Sequence, residues 1–275
     1  MKNSIIAFIG GGNMASSLIG GLIADGCPRG NLWVADPGQE KLDYLTKQFS
    51  INTTKNNDEA VTRADVVVLA VKPQVMRDVA TALRTSVQSS HPLVISVAAG
   101  IREQDLQAWL GGEIAIVRTM PNTPALLQTG ASGLFANSHV SEDQRNLAES
   151  IMRAVGLALW LEDENMMDAV TALSGSGPAY FFYVMEAMKK AGVQLGLPEK
   201  TANLLTLQTA LGAAKMALES SEDVAELRRR VTSPGGTTEQ AIKSLQAGNL
   251  EALFAKAMTA AAERSKQLAK EFGEK

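Results

Sequence analysis

The chain has 275 residues, enough for one large or two medium domains, and its 45% hydrophobic and 20% charged content is that of a folded globular protein. Its 26 Lys and Arg against 29 Asp and Glu give a net charge of −3, which argues against a basic face for nucleic acid. The single cysteine, Cys27, excludes an intrachain disulfide, so the sequence makes no demand on an oxidising compartment.

Short apolar runs at residues 5–10, 32–36, 66–71, 93–97, 114–118, 133–136 and 158–161 alternate with amphipathic stretches at 15–25, 40–49, 75–86 and 103–110. The early runs are nearly continuous Val, Ile and Leu, as strands covered on both faces must be. This alternation predicts an α/β domain with a Rossmann-like, doubly wound, mostly parallel sheet. The run at 66–71 is too short to span a bilayer, and Lys72-Pro73 stops it. The N-terminus lacks the apolar stretch and cleavage site of a signal peptide. A cytoplasmic protein with no membrane partner is the expectation.

Beyond Glu162 strand signals vanish, and the chain reads as helices rich in Ala, Leu, Met, Glu and Lys. Breaks fall at 174–178, 196–198, 220–221, 233–238 and 248–249. The expected division is a dinucleotide-binding domain over 1–162 and an all-helical C-terminal domain over 163–275.

Gly10-Gly11-Gly12-Asn13-Met14-Ala15 follows the first strand and opens the first helix. Read as G-x-G-x-x-A, it supplies Gly10 for a tight turn, Gly12 for close approach of a pyrophosphate, and Ala15 for helix–strand packing. A helix N-terminus there offers free N–H groups and partial positive charge to phosphates. Asp36 ends the second strand 24 positions beyond Gly12, where a carboxylate can accept from a ribose 2′-hydroxyl and would repel a 2′-phosphate. The residues alone therefore lean to NADH. Ala70-Val71-Lys72-Pro73 ends another strand and should line the same crevice.

Hydride transfer to a ketone needs a proton donor, commonly His, Lys or Tyr. The two histidines, His91 and His139, stand in unpromising contexts. The helix motif G-x-G-x-x-x-K-x-x-x-N of β-hydroxyacid dehydrogenases is missing too, since from Gly175 the chain has Phe181 and Met185 at the Lys and Asn places. Reducing an imine is less demanding, because the nitrogen can arrive protonated. Glycines and hydroxyls that orient the substrate and anchor a carboxylate then suffice. Ser233-Pro234-Gly235-Gly236-Thr237-Thr238 is such a segment: the N–H groups from Gly236 to Thr238 suit an anion, and Thr237 with Gln240 has capping-box spacing. Leu173-Ser174-Gly175-Ser176-Gly177-Pro178-Ala179-Tyr180 interrupts one helix and starts another, with glycines that permit close approach.

These segments, with Phe8-Ile9-Gly10-Gly11-Gly12-Asn13-Met14, Ala70-Val71-Lys72-Pro73 and Met120-Pro121-Asn122-Thr123-Pro124, resemble the pyrroline-5-carboxylate reductase family in order and spacing. The resemblance runs from Ile5 to about Leu268. It implies reduction of 1-pyrroline-5-carboxylate to L-proline, the last step of proline biosynthesis, with NADPH or NADH and no metal. It further implies that Ile9, Gly10, Gly11, Gly12, Asn13, Met14, Ala70, Val71, Lys72 and Pro73 contact the cofactor. Asp36 and Asn57 would lie near the adenosine ribose, and Asn122 in a loop beside the nicotinamide. Ser233, Gly236 and Thr237 would hold the substrate carboxylate, with Ser176 also at the substrate, and the Thr238 hydroxyl would hydrogen-bond the ring nitrogen. Asp36 stands where several relatives carry serine, which speaks against a preference for NADPH. The family also implies a homo-oligomer, a dimer through the helical domain, with a decamer left open. Two rivals remain at this point: a reductase of a six-membered cyclic imino acid, and a regulatory protein that binds NAD(P) without turnover and has no need of residues 233–238.

Overall fold

The computed structural model describes residues 4–273. Eight strands form one sheet: β1 (Ile6–Ile9), β2 (Leu32–Ala35), β3 (Asn52–Thr54), β4 (Val66–Leu69), β5 (Leu93–Ser96), β6 (Ile116–Met120), β7 (Gly130–Ala136) and β8 (Gly156–Trp160). Their order is β3-β2-β1-β4-β5-β6-β7-β8, and every pairing is parallel except the antiparallel β6–β7 step. Between them run α1 (Asn13–Ala24), α2 (Gln39–Phe49), α3 (Asn57–Val61), α4 (Pro73–Ser90), α5 (Glu103–Leu110) and α6 (Glu142–Arg153). The Rossmann-like sheet is thus present, with helices beyond it, as the periodicity predicts.

β1 and β4 are buried at every position, which explains why they read as unbroken apolar runs. Side chains alternate between the two faces: Ile6 and Phe8 join one apolar cluster, Ala7 and Ile9 the other. β3 is the element the pattern misses. Its three residues, Asn-Thr-Thr, are half-buried at the sheet edge, where polar side chains are tolerated and apolar periodicity does not arise. α6 opens with a reciprocal capping box between Ser141 and Gln144.

After β8 come α7 (Met166–Val170), a π-helical turn over Thr171–Gly175, and then α8 (Gly177–Gln194), α9 (Glu199–Glu219), α10 (Val224–Arg230), α11 (Thr237–Ala247) and α12 (Leu250–Gly273). The chain packs as two compact units. One comprises the chain up to Ser176 together with the segment from Ala260 onward, and the other is Gly177–Thr259. In the first unit the end of α12 lies against the sheet domain: Ser265 donates to Asp168 at 2.6 Å, and a Cβ on Gly100 would stand 3.3 Å from Leu268. In the second, α8 and α9 pack on each other yet leave Phe181, Phe182, Tyr183, Leu205, Leu211 and Leu218 exposed. That is far more apolar surface than scattered single residues would account for. Among the described residues, no helix is long and apolar enough to cross a membrane.

Candidate active site

Parallel register brings three strand ends to one edge. Ile9 lies opposite Ala35 on one side and Leu69 on the other, so the turns after β1, β2 and β4 emerge together. Chain direction outward from the sheet reverses between β1 and β4, the switch point where open α/β sheets bind ligands.

The glycine turn is built at that edge. Gly10 has φ +101°, and a Cβ there would stand 2.7 Å from the Ala70 carbonyl oxygen, so backbone crowding demands glycine. At Gly11 a Cβ would meet Leu45 Cδ1 at 2.9 Å. Gly12 differs from both. Its backbone is extended (φ −80°, ψ −174°), and a Cβ would find no atom within 4 Å. Nothing in the protein itself excludes a side chain at Gly12. The open space fits a ligand approaching the backbone, as a pyrophosphate must. Gly12 is also the N-cap of α1, without a side-chain cap and with no acidic residue in the first turn. The first N–H groups of the helix, from Asn13 and Met14 onward, thus have neither an intrahelical nor a capping partner and can serve an anion.

On the far side of β1, Ala70 and Val71 are half-buried, Lys72 is the exposed N-cap of α4, and Pro73 occupies its first turn. Asn57 opens α3 beyond the end of β3. The preceding Asn56 caps that helix, accepting from the N–H groups of Asp58 and Glu59.

Asp36, expected near the adenosine ribose, is engaged here by groups of the protein itself. Its carboxylate does not present a free edge to the crevice, for the residue is only 3% exposed and both oxygens are engaged. Oδ2 accepts from the Gly11 N–H at 2.9 Å and Oδ1 from the Gly38 N–H at 2.8 Å, while Lys41 Nζ lies 3.0 and 3.3 Å from the two. Burial pushes this carboxyl up, but the two N–H groups and Lys41 together outweigh it and hold it below the ordinary carboxylate range. Asp36 is therefore a pin between the glycine turn and the start of α2. The sequence signal for it was Asp36-Pro37-Gly38: an aspartate bonding the N–H two residues on is a turn device as well as a ribose ligand. Lys41, five residues beyond Asp36, belongs to no motif that the sequence displays.

Asn122 is engaged in a similar way. Its Nδ2 donates to the Ser174 carbonyl at 3.0 Å and its Oδ1 accepts from the Ala131 N–H at 2.9 Å, so the amide clamps the loop after β6 to the π-helical turn. Gly175 in that turn packs against Met120, where a Cβ would collide with the methionine Cε. Such π turns recur at functional sites. Half-buried Ser176 follows and donates its N–H to Thr171 O at 2.8 Å. The two histidines stand apart from all this, His91 as the exposed C-cap of α4 and His139 in an exposed loop.

In the second unit residues 233–236 form a turn ahead of α11, whose first residues are Thr237 and Thr238. Gly235 has φ +73°, Gly236 donates to Ser233 O at 3.0 Å, and Gly235 N–H donates to Glu239 at 2.9 Å. The capping box expected of Thr237 and Gln240 is not formed. Gly236 is the N-cap, with no side-chain cap, and Thr237 is already the first helical residue. The free anion donors are consequently fewer than the sequence suggests: Gly236 N–H is taken, and those of Thr237 and Thr238 remain. Ser233, Thr237 and Thr238 are exposed, with Gly236 half-buried between them.

The sheet order, the glycine turn and the uncapped α1 define a Rossmann-type dinucleotide-dependent oxidoreductase with an added helical unit. A family model described as NADP oxidoreductase, coenzyme F420-dependent, matches residues 5–100, and one described as pyrroline-5-carboxylate reductase dimerisation matches 164–268. The pyrroline-5-carboxylate reductase of Pseudomonas aeruginosa is 56% identical over 274 residues, covering 100% of both chains, and that of Arabidopsis thaliana is 39% identical, covering 96% and 95%. Among solved structures, the enzyme of Coxiella burnetii superposes with a TM-score of 0.93 at 52% identity, covering 97% of this chain and 98% of that one. The Plasmodium falciparum enzyme with NADP bound gives 0.87 at 31% identity over 98% and 99%. The chain belongs to the pyrroline-5-carboxylate reductase family.

Proposed function

We infer that this protein reduces 1-pyrroline-5-carboxylate to L-proline with NADPH or NADH, the final step of proline biosynthesis. The observation that carries the reading is Gly12: a glycine that nothing in the protein requires, open to solvent at the switch point, in a chain like known reductases of this family from end to end. The bound dinucleotide supplies the hydride. The backbone from Ile9 to Met14 and from Ala70 to Pro73 holds the dinucleotide, with Asn57 toward the adenosine ribose. Asp36 serves by fixing the Gly11 and Gly38 N–H groups, and Asn122 by holding the loop that faces the reacting ring.

Ser233, the N–H groups at the start of α11 and the Thr237 hydroxyl receive the substrate carboxylate, with Ser176 as a further substrate contact. Thr238 hydrogen-bonds the ring nitrogen. No side-chain acid is needed, because a nitrogen that arrives protonated already carries the proton found in the product amine. The exposed apolar faces of α8 and α9 belong to a homo-oligomer, with the dimer formed through the helical unit in a cytoplasmic enzyme.

The test follows NADPH and NADH oxidation by purified protein with five- and six-membered cyclic imino acids. Turnover restricted to the five-membered ring supports the reading. Preference for the six-membered ring redirects it, and tight dinucleotide binding without turnover of either refutes it.

A further inference from the structure

Arg118 stands on β6 two residues before Met120, so strand alternation puts both side chains on one face of the sheet. Gly133 lies opposite Met120 in the antiparallel register, and a Cβ there would meet Val170 Cγ1 at 2.9 Å. The face that carries Arg118 and Met120 is therefore the one covered by α7, at close approach. Arg118 is well buried for a charged residue. Its side chain is 11% exposed and pairs with Glu164, 24% exposed, in the link between β8 and α7. The same Glu164 oxygen accepts from the Glu103 N–H at 2.7 Å, at the first residue of α5. From Arg118 onward, every second residue meets the segment 164–175: Arg118 with Glu164, Met120 with Gly175, and Asn122 with the Ser174 carbonyl. Between these ties the segment is held from another side, where Asp168 accepts from Ser265 of α12.

A buried ion pair is no automatic source of stability, since well-packed apolar residues of similar volume often do as well or better. What a guanidinium offers is a planar, pre-organised fork that fixes its partner's place. Here the pair joins two elements 46 residues apart, and each runs on into the candidate active site. β6 leads into the loop that carries Asn122, and α7 leads into the π-helical turn over Thr171–Gly175. A shift of α7 along β6 would carry the Ser174 carbonyl with it, and with that carbonyl the Asn122 amide.

We propose that Arg118 is a positioning residue for hydride transfer: paired with Glu164, it fixes the start of α7 so that the π-helical turn and the Asn122 loop meet in the register that orients the nicotinamide. This role rests on the reductase reading above. Arg118 touches neither cofactor nor substrate, and acts through Glu164, α7 and Asn122.

The experiment compares the full-length parent with Glu164→Gln and with the double variant Arg118→Met/Glu164→Gln. It measures thermal unfolding, the dissociation constant for NADPH, and kcat and KM for 1-pyrroline-5-carboxylate. Glu164→Gln leaves the Arg118 charge buried without its partner and lowers the unfolding midpoint by roughly 5–15 °C. The double variant removes both charges, keeps an amide oxygen for the Glu103 N–H, and recovers most of that loss. Its kcat nevertheless stays on the order of 10- to 100-fold below the parent's, the cost of misplacing reacting groups by about 1 Å. NADPH affinity stays within about twofold and KM moves less than kcat, because orientation is lost and binding is not. With NADPH deuterated at the transferred C4 position, the isotope effect on kcat is no smaller than the parent's, which locates the loss in hydride transfer. A double variant whose kcat returns with its stability overturns the positioning role. So does an isotope effect that shrinks, or an NADPH affinity that falls as far as kcat. A parent that binds NADPH and reduces no imino acid overturns the reductase reading itself.

Discussion

Gly10 and Gly12 are two residues apart in one turn, yet the same substitution at each should have opposite consequences. Gly10→Ala forces a side chain into a backbone at φ +101° and sets its Cβ 2.7 Å from the Ala70 carbonyl oxygen. The backbone strain costs roughly 1–2 kcal/mol and overpacking against a strand end about 1–3 kcal/mol more. The sum corresponds to a fall in the unfolding midpoint on the order of 5–15 °C for a domain of this size. Gly12→Ala meets no atom within 4 Å and keeps a backbone that any residue adopts. Alanine is a poorer N-cap than glycine by up to about 1 kcal/mol, and lower unfolded-state entropy returns about 0.4–1 kcal/mol. Stability should stay within about 1 kcal/mol of the parent. Its effect falls on the ligand: a methyl group in the pyrophosphate's place costs about 1–3 kcal/mol, or roughly 5- to 150-fold in Kd. Urea unfolding followed by circular dichroism reads the first quantity and calorimetric titration of NADPH the second. A Gly12→Ala protein that binds cofactor within twofold of the parent would falsify the site, and one as unstable as Gly10→Ala would refute the reasoning from open space.

Thr238→Ala should lower kcat/KM by about 10- to 150-fold, the value of one hydrogen bond to a charged amine, and Thr238→Ser should recover most of it. Full activity in the alanine variant eliminates the contact, and an altered pH profile means that Thr238 moves a proton. Asn122→Ala strands the Ser174 carbonyl and the Ala131 N–H, so urea unfolding should show a loss of about 1–3 kcal/mol; unchanged stability would mean the clamp contributes nothing. For Asp36 the native carboxyl titrates below its ordinary value of 3.8. Its stabilising effect is complete above that value and is lost as pH falls through the lower native one. The difference in urea midpoint between the parent and Asp36→Asn should accordingly be constant from pH 7 to 5 and shrink below about pH 4. A difference that grows on acidification contradicts the sign.

Local patterns determined much of this protein. Val66-Val67-Val68-Leu69 reads as a strand covered on both faces, and Gly10 to Ala15 after an apolar run reads as a tight turn opening a helix, because periodicity and glycine conformation act over a few residues. The breaks among the C-terminal helices were equally legible, as Gly196 with φ +99° and Gly235 with φ +73° illustrate. Polar β3 was not, since its three residues are too few and too polar to show apolar alternation, and its strand character comes from pairing with β2 at a separation of 19 residues. The surroundings of Asp36 and Asn122 were decided mainly by tertiary structure, although Gly38 is a local partner of Asp36. Each has the right chemistry for a ligand, and each is engaged by backbone groups that sequence distance conceals: Gly11, 25 residues before Asp36, and Ser174, 52 after Asn122. A polar side chain bonds whatever donor or acceptor the fold brings to it, so its residue type reports what it can do, and its neighbours in space settle what it does.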